Sequence, residues 1–221
     1  NYAIAGAPNE DDANGSYSGK AYIFDVTTGL LVRTLHNPNP YGTGQFDNFG
    51  RSIAIDGNYT IVGAANEDDA GGSSSGKAYI FDVTTGLLVC TLDNPNAYGT
   101  SQYDYFGTTV AISGNYAIVG AYQEDDVGNT DSGKAYIFDV TTGLRVHTLD
   151  NPNAYGTGGY DYFGYSVAID GNYAIVGAYN EDDASGSDSG KAYIFDVTTG
   201  LLVRTLDNPN DYGTGDGDNF G

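Results

Sequence analysis

The sequence predicts an all-β fold built from tandem four-stranded antiparallel sheets, and three observations lead to this prediction. Asn1, Asn58, Asn115 and Asn172 each open a near-copy of the same segment, so the chain repeats at intervals of 57 residues. Short runs of alternating apolar and polar residues recur in every copy. No segment shows helical periodicity. Such a period indicates one supersecondary unit that stacks on its neighbours to bury its apolar faces.

The four strands of one unit follow in order from residues 51–56 to residues 87–92. Residues 51–56 alternate apolar and polar side chains, residues 58–64 are rich in β-forming types, and residues 77–82 alternate again. The Asp-Gly-Asn sequence before the second strand suits a tight hairpin that needs positive φ. An Asp-Val-Thr-Thr-Gly turn precedes the fourth strand.

One repeat array is therefore predicted, with units at residues 1–50, 51–107, 108–164 and 165–221. The first unit lacks the first strand of the pattern. We expect that strand to come from a continuation of the chain or from an adjacent copy, because an open sheet edge is a template for pairing. Head-to-tail contacts that do not close build filaments, whereas radial closure of four blades is the alternative.

Differences between the copies predict which side of the fourth strand faces solvent. Two positions vary, and the second of them holds Arg33, Cys90, His147 and Arg204. Alternate residues share a face of a strand, so these side chains are expected to be exposed. The constant valines between the two positions, Val32, Val89, Val146 and Val203, are expected to point inward.

The composition excludes several classes of partner. With 40% hydrophobic residues, the 221-residue chain can form a core. Its net charge is −21, from 8 Lys and Arg against 29 Asp and Glu, so binding to nucleic acid or to an anionic bilayer is not expected. No run of 18 apolar residues exists, and no membrane insertion is expected. Cations or cationic surfaces are the favoured partners.

Two short motifs frame the first two strands of each unit. Phe-Gly pairs precede the first strand at Phe49, Phe106, Phe163 and Phe220, and Gly6-Ala7-Pro8 follows the second strand of the first unit. This pattern resembles the FG-GAP repeat of integrin-α-like β-propellers, in the variant common in large secreted bacterial proteins. The resemblance implies propeller blades and an extracellular or cell-surface location. A two-sheet β-sandwich is the structural alternative.

The resemblance also implies calcium, which integrin-type blades bind in the loop after GAP through ligands at positions i, i+2, i+4 and i+8. The third ligand is missing from every copy here, so further aspartates and carbonyl oxygens would have to replace it. The candidate ligands are Asn9, Asp11, Asp12, Asn66, Asp68, Asp69, Gln123, Asp125, Asp126, Asp131, Asn180, Asp182, Asp183 and Asp188. The alternative is a solvated acidic loop, partly neutralised through exposed ion pairs with Lys20, Lys77, Lys134 and Lys191.

Other repeated residues have structural or binding interpretations. The aspartate two residues before each Phe-Gly phenylalanine is expected to bond backbone N–H groups of the turn, and the phenylalanines are expected to fill space between units. The loop tyrosines Tyr41, Tyr98, Tyr155 and Tyr212 are candidate partner-binding residues, because exposed aromatic rings stack on sugars or on a neighbouring subunit.

The repeated pattern also bears on function. An active site needs different residues in single roles, yet the carboxylates here recur in every copy, so an enzyme is not predicted. Near-identical copies favour an extracellular structural protein that forms or decorates a fibre, stalk or cell-surface layer. The alternative is an adhesive module that recognises glycans or a protein partner through repeated loops, with or without calcium.

Overall fold

The computed structural model describes residues 1–13, 15–38, 45–69, 72–96, 102–126, 129–152, 159–182, 187–209 and 217–221. Within these ranges every regular element is a β-strand. No helix in this part of the chain is long and apolar enough to cross a lipid bilayer.

Fifteen strands form four antiparallel sheets in chain order. They are β1 (Tyr2–Ala7), β2 (Lys20–Asp25), β3 (Leu31–His36), β4 (Ser52–Asp56), β5 (Tyr59–Ala64), β6 (Lys77–Asp82), β7 (Leu88–Asp93), β8 (Thr109–Ser113), β9 (Tyr116–Ala121), β10 (Lys134–Asp139), β11 (Arg145–Asp150), β12 (Phe163–Asp170), β13 (Tyr173–Ala178), β14 (Lys191–Asp196) and β15 (Leu202–Asp207). Strands β1 to β3 form a three-stranded sheet, and each later group of four forms its own sheet, with neighbours in sequence paired. The predicted all-β, propeller-like array of blades is confirmed.

Side chains close the turn between the third and fourth strands of each unit. The Asp82 carboxylate accepts hydrogen bonds from the backbone N–H of Thr84 at 3.0 Å and of Thr85 at 2.7 Å, and from both hydroxyls. These donors lower the pKa of Asp82 to about 2. Asp25, Asp139 and Asp196 make the same kind of turn.

The first varying position of the fourth strand is exposed as predicted, at Leu31, Leu88, Arg145 and Leu202. The second position is not exposed in the first three units, and a β-bulge is the reason. Ile80 pairs with Cys90 and Phe81 pairs with Leu88, so Val89 has no partner in the ladder. Val89 is 36% exposed, whereas Cys90 is half-buried against the next unit and donates its thiol to the Val140 carbonyl. Arg33 and His147 contact the next unit's turn in the same way, at Thr84 and Thr198. Arg33, Cys90 and His147 therefore lie between units.

Each core is shared between two neighbouring units. Ile61 and Ile80 of the second sheet pack with Val110 and Tyr136 of the third. Phe106 is fully buried at this junction, where its ring meets Tyr136 and Phe138 at centroid distances of 5.9 Å. Phe49 and Phe163 occupy equivalent places. The phenylalanines therefore fill the space between units.

The glycine of the Gly-Ala motif allows the Phe-Gly turn to approach the second strand. A Cβ atom on Gly63 would lie 2.0 Å from the Gly107 carbonyl oxygen, far inside the contact distance. Only glycine fits this approach without moving the backbone. The two motifs thus meet in space although they lie 44 residues apart in sequence.

Candidate functional site

The acidic loop between the second and third strands of each unit holds the predicted calcium ligands. At the second ligand position the aspartate accepts a hydrogen bond from the backbone N–H six residues later. The pairs are Asp11 with Tyr17 (2.9 Å), Asp68 with Ser74 (2.8 Å), Asp125 with Asp131 (2.9 Å) and Asp182 with Asp188 (2.9 Å). The donor residues have φ between 50° and 56°. These aspartates hold the loop around a left-handed residue.

The first-position side chains contact other groups. The Asn66 amide donates to the Asn48 side chain at 2.7 Å, and Asn180 accepts from Asn219 at 2.9 Å. Asn9 accepts a long bond from Asn48 at 3.4 Å. Gln123 bonds the carboxylate of Asp131, whose pKa is raised by burial. Three of these four side chains therefore link the loop to a Phe-Gly turn.

The adjacent aspartates face basic side chains of the same unit. Asp12 lies 3.7 Å from His36, Asp69 lies 3.9 Å from Lys77 and Asp126 lies 3.5 Å from Lys134. Asp183 lies outside the described residues.

Calcium takes six to eight oxygen ligands. In the part of the chain that the structure describes, no three His, Cys, Asp or Glu side chains converge closely enough to hold a metal ion. The described acidic side chains alone therefore do not fit calcium. Calcium binding by these loops stays a prediction, in which amide and backbone carbonyl oxygens complete the ligand set. The candidate tyrosines Tyr41, Tyr98, Tyr155 and Tyr212 also lie outside those ranges.

A buried carboxyl group in the acidic loop of each of the last three units is a feature that sequence reasoning missed. Glu67, Glu124 and Glu181 are each 0% exposed and accept hydrogen bonds from the hydroxyls of Tyr79, Tyr136 and Tyr193. Burial raises the pKa of Glu67 and Glu124 to about 8 and that of Glu181 to about 7. The spacing of Glu and Tyr in every copy was the available signal, because residues 12 apart meet across the loop.

A second buried carboxyl group lies close to each glutamate. Asp104 is 3% exposed, and its carboxylate accepts hydrogen bonds from the side-chain amides of Asn94 at 2.8 Å and Asn96 at 2.5 Å. Burial raises its pKa to about 7. The partners that the structure describes are thus asparagine side chains of the preceding loop, whereas the sequence led us to expect backbone N–H groups.

The expected exposure of the lysines is wrong for three of the four units. Lys77, Lys134 and Lys191 are 1–2% exposed. Their amino groups bind the aspartate that ends the fourth strand: Lys77 pairs with Asp93, Lys134 with Asp150 at 2.6 Å and Lys191 with Asp207 at 3.2 Å. Each of these ion pairs therefore joins the start of the third strand to the end of the fourth strand.

The faces at the two ends of the array differ from those inside it. Ile175 on β13 is 37% exposed, whereas its equivalents Ile61 and Ile118 are fully buried by the next unit. A shallow apolar cavity of about 280 Å³ lies over Ile169, Tyr173 and Ile175. We call this surface, defined by Ala168, Ile169, Tyr173, Ile175 and Ile194, the terminal face.

Comparison with known families identifies the repeat. The model of the FG-GAP repeat matches residues 40–81, 96–138 and 154–195. The chain belongs to the FG-GAP repeat family. Each matched FG-GAP segment runs from the loop before a Phe-Gly turn to the third strand of the following sheet.

Two solved structures resemble this FG-GAP array. The computationally designed Ika4 protein is 19% identical over 74% of each chain, with a TM-score of 0.44. The computationally designed Ika8 protein is 18% identical, with a TM-score of 0.46; the match covers 93% of this chain and 58% of Ika8. No curated protein matches the chain in sequence.

Proposed function

We propose that this chain is a non-catalytic structural module of an extracellular fibre, stalk or surface layer, and that copies of it associate end to end. The terminal face of one copy packs on the opposite end of the next. The family membership supports a repeat module, and FG-GAP repeats are typical of extracellular and surface proteins. The observation that carries the proposal is the exposure of apolar residues at both ends.

The two ends present faces that are complementary inside the array. Val26 in the first unit is 59% exposed, whereas Val83, Val140 and Val197 are all fully buried against the preceding unit. Ile175 in the fourth unit is equivalent to Ile61 and Ile118, which the sheets of the following units cover. The first unit of a second copy therefore presents to the terminal face the same type of surface that buries Ile61 and Ile118 within the chain. Burying each such side chain contributes about 1.5–3 kcal/mol.

The mass of the particle in solution tests this association. We expect sedimentation velocity to show species larger than the 23.2 kDa chain, increasing with concentration. Ile175→Asp places a charge on the terminal face and is expected to leave the single chain. Leu144→Asp is the matched control, because Leu144 is 68% exposed in a turn, and it should associate like the wild type. A wild-type chain that stays at 23.2 kDa at every concentration contradicts the proposal.

Calcium is a separate part of this proposal, and thermal melting tests it. A ligand that binds only the folded state raises its stability in proportion to the logarithm of ligand concentration. If the acidic loops bind calcium, the melting temperature rises on titration with calcium chloride and falls again in excess chelator. Equal melting temperatures under both conditions would leave Asp68, Asp125 and Asp182 with only their role of holding the loops.

A further inference from the structure

The FG-GAP copies are nearly identical, yet three of the positions at which they differ meet on one surface. The first position holds Pro8, Ala65, Tyr122 and Tyr179; the second holds Asn48, Tyr105, Tyr162 and Asn219; the third holds Arg51, Thr108 and Tyr165. Rings from these positions touch across unit boundaries. Tyr122, for example, contacts Tyr105, Tyr162 and Tyr165 at centroid distances of 5.9, 5.7 and 5.5 Å. The stacking of units thus turns scattered sequence differences into one tyrosine cluster.

A cleft of about 270 Å³ opens at one end of this cluster, between the second and third units. Its walls are Arg51, Asn66, Ser74, Tyr105, Thr108 and Tyr122. Tyr105 and Tyr122 stack on each other with an interplanar angle of 22°, and both half-buried rings border the cleft. The other walls carry a guanidinium, an amide and two hydroxyl groups. A small number of polar groups beside aromatic rings is typical of small-molecule sites, whose volumes begin near about 300 Å³.

The chemistry of the walls indicates the class of ligand. A sugar ring has apolar C–H faces that pack on aromatic rings and equatorial hydroxyls that bond to amides, hydroxyls and guanidinium groups. Arg51 is the single charged residue among the lining residues. The net charge of −21 disfavours the approach of anionic chains. A neutral sugar therefore suits the cleft better than a polyanionic one.

The equivalent place between the third and fourth units is occupied by a side chain. Tyr165 stands where the second unit boundary has Thr108, and its ring lies 4.3 Å from that of Tyr179 and 5.5 Å from that of Tyr122. The small Thr108 side chain, whose hydroxyl donates to the Tyr105 carbonyl at 2.8 Å, leaves the cleft open. The difference between Thr108 and Tyr165 thus decides whether the cleft at a unit boundary is open or filled.

We propose that the cleft between the second and third units binds a hexose unit of a neutral oligosaccharide, with Tyr122 and Tyr105 as the stacking wall and Arg51 and Asn66 as hydrogen-bond donors. This site lies away from the terminal face and does not depend on end-to-end association. The chain would then carry one divergent binding site on an otherwise structural array.

The chain itself supplies substitutions that test the site. Tyr122→Ala introduces the residue of the second unit, Ala65, and Thr108→Tyr introduces that of the fourth, Tyr165, so both side chains already occur at equivalent places. Binding is measured by saturation-transfer NMR and calorimetry with maltotetraose, cellotetraose, mannotetraose and chitotetraose, and with tetragalacturonate as the anionic probe. We expect at least one neutral probe to bind. Each substitution should weaken that binding at least about tenfold, because Tyr122→Ala removes a stacking ring and Thr108→Tyr fills the cleft.

Tyr179→Ala is the matched control, because it removes an equivalent ring outside the cleft, and it should leave binding unchanged. Ile175→Asp should also bind normally, which separates this site from the association proposed above. The proposal is wrong if none of the four neutral probes binds. It is also wrong if tetragalacturonate binds best, or if folded Thr108→Tyr protein binds a neutral probe as the wild type does.

Discussion

Glu10 and Glu124 occupy the same position of the repeat, yet their surroundings are opposite. The Glu10 side chain is 40% exposed and binds Lys20 at 2.7 Å and the Tyr22 hydroxyl at 2.6 Å. The Lys20 hydrogen bond lowers the pKa of Glu10. Glu124 is 0% exposed, and burial raises its pKa to about 8 although it also accepts a tyrosine hydroxyl.

The difference comes from the neighbouring unit. Asp104, on the connection between the second and third units, lies beside Glu124 and its charge further raises the pKa of that group. The connection between the first and second units brings Asp47 to Glu67, whose pKa is raised in the same direction. Equivalent residues of similar copies therefore acquire opposite electrostatics from their position in the array.

Removal of the aromatic ring between two units should have the largest effect. Phe106 is fully buried between Tyr136 and Phe138, so Phe106→Ala is expected to lower the free energy of unfolding by about 3–5 kcal/mol. Phe220 has the same local hydrogen bond, from its N–H to the Ser189 carbonyl, but is only partly buried. Urea denaturation should show a clearly smaller loss for Phe220→Ala. Equal losses would show that unit stacking does not stabilise the fold.

The buried glutamates should give the array an unusual dependence on pH. Because the folded-state pKa of Glu124 is raised from 4.5 to about 8, its contribution is complete below about pH 4.5 and is lost as pH rises through about 8. Glu124→Gln should therefore be more stable than the wild type near pH 8, by about 1–3 kcal/mol, since each unit of pKa corresponds to 1.36 kcal/mol.

Glu10→Gln is a contrasting test, because the pKa of Glu10 is shifted in the opposite direction from that of Glu124. The pKa of Glu10 is lowered, so its contribution is present above about pH 4.5 and is lost as pH falls. Removal of its charge should leave the protein no more stable at pH 8 than the wild type. Melting temperatures of both variants between pH 5 and 8 test this, and a gain in both variants at pH 8 would contradict the assigned surroundings.

The smallest effect is expected for the aspartate turn between the third and fourth strands, whose hydrogen bonds all lie within one unit. Asp139 accepts hydrogen bonds from the N–H groups of Thr141 at 3.0 Å and Thr142 at 2.9 Å, all within one turn. Asp139→Ala is expected to cost on the order of 1 kcal/mol. Asp25→Ala, in the first unit, removes the same local bonds. The two variants should lose the same amount on urea denaturation, and a large difference would show that the turn depends on neighbouring units.

Much of the fold could be predicted, because strand periodicity and turn residues act over a few positions. The predicted strands at residues 51–56, 58–64, 77–82 and 87–92 match β4 to β7 within one or two residues at each end. The exposure of Leu88 was predicted, but the face on which Cys90 lies could not be, because the bulge at Val89 moves every later side chain of β7 to the other face. The burial of Lys77 was missed for a related reason, since the Phe106-Gly107 turn, which lies against its backbone, comes about one half of a unit later in sequence.

The sequence by itself determined the unit: its length, its four strands, its side-chain turns and the Phe-Gly and Gly-Ala motifs that mark the FG-GAP family. Only the tertiary structure decided what each copy of a residue does. Stacking brings together residues that lie about one unit apart, so Ile118 is buried while Ile175 is exposed, and Tyr122 meets Tyr165. Burial and electrostatics depend on those neighbours, which periodicity along one strand does not reveal.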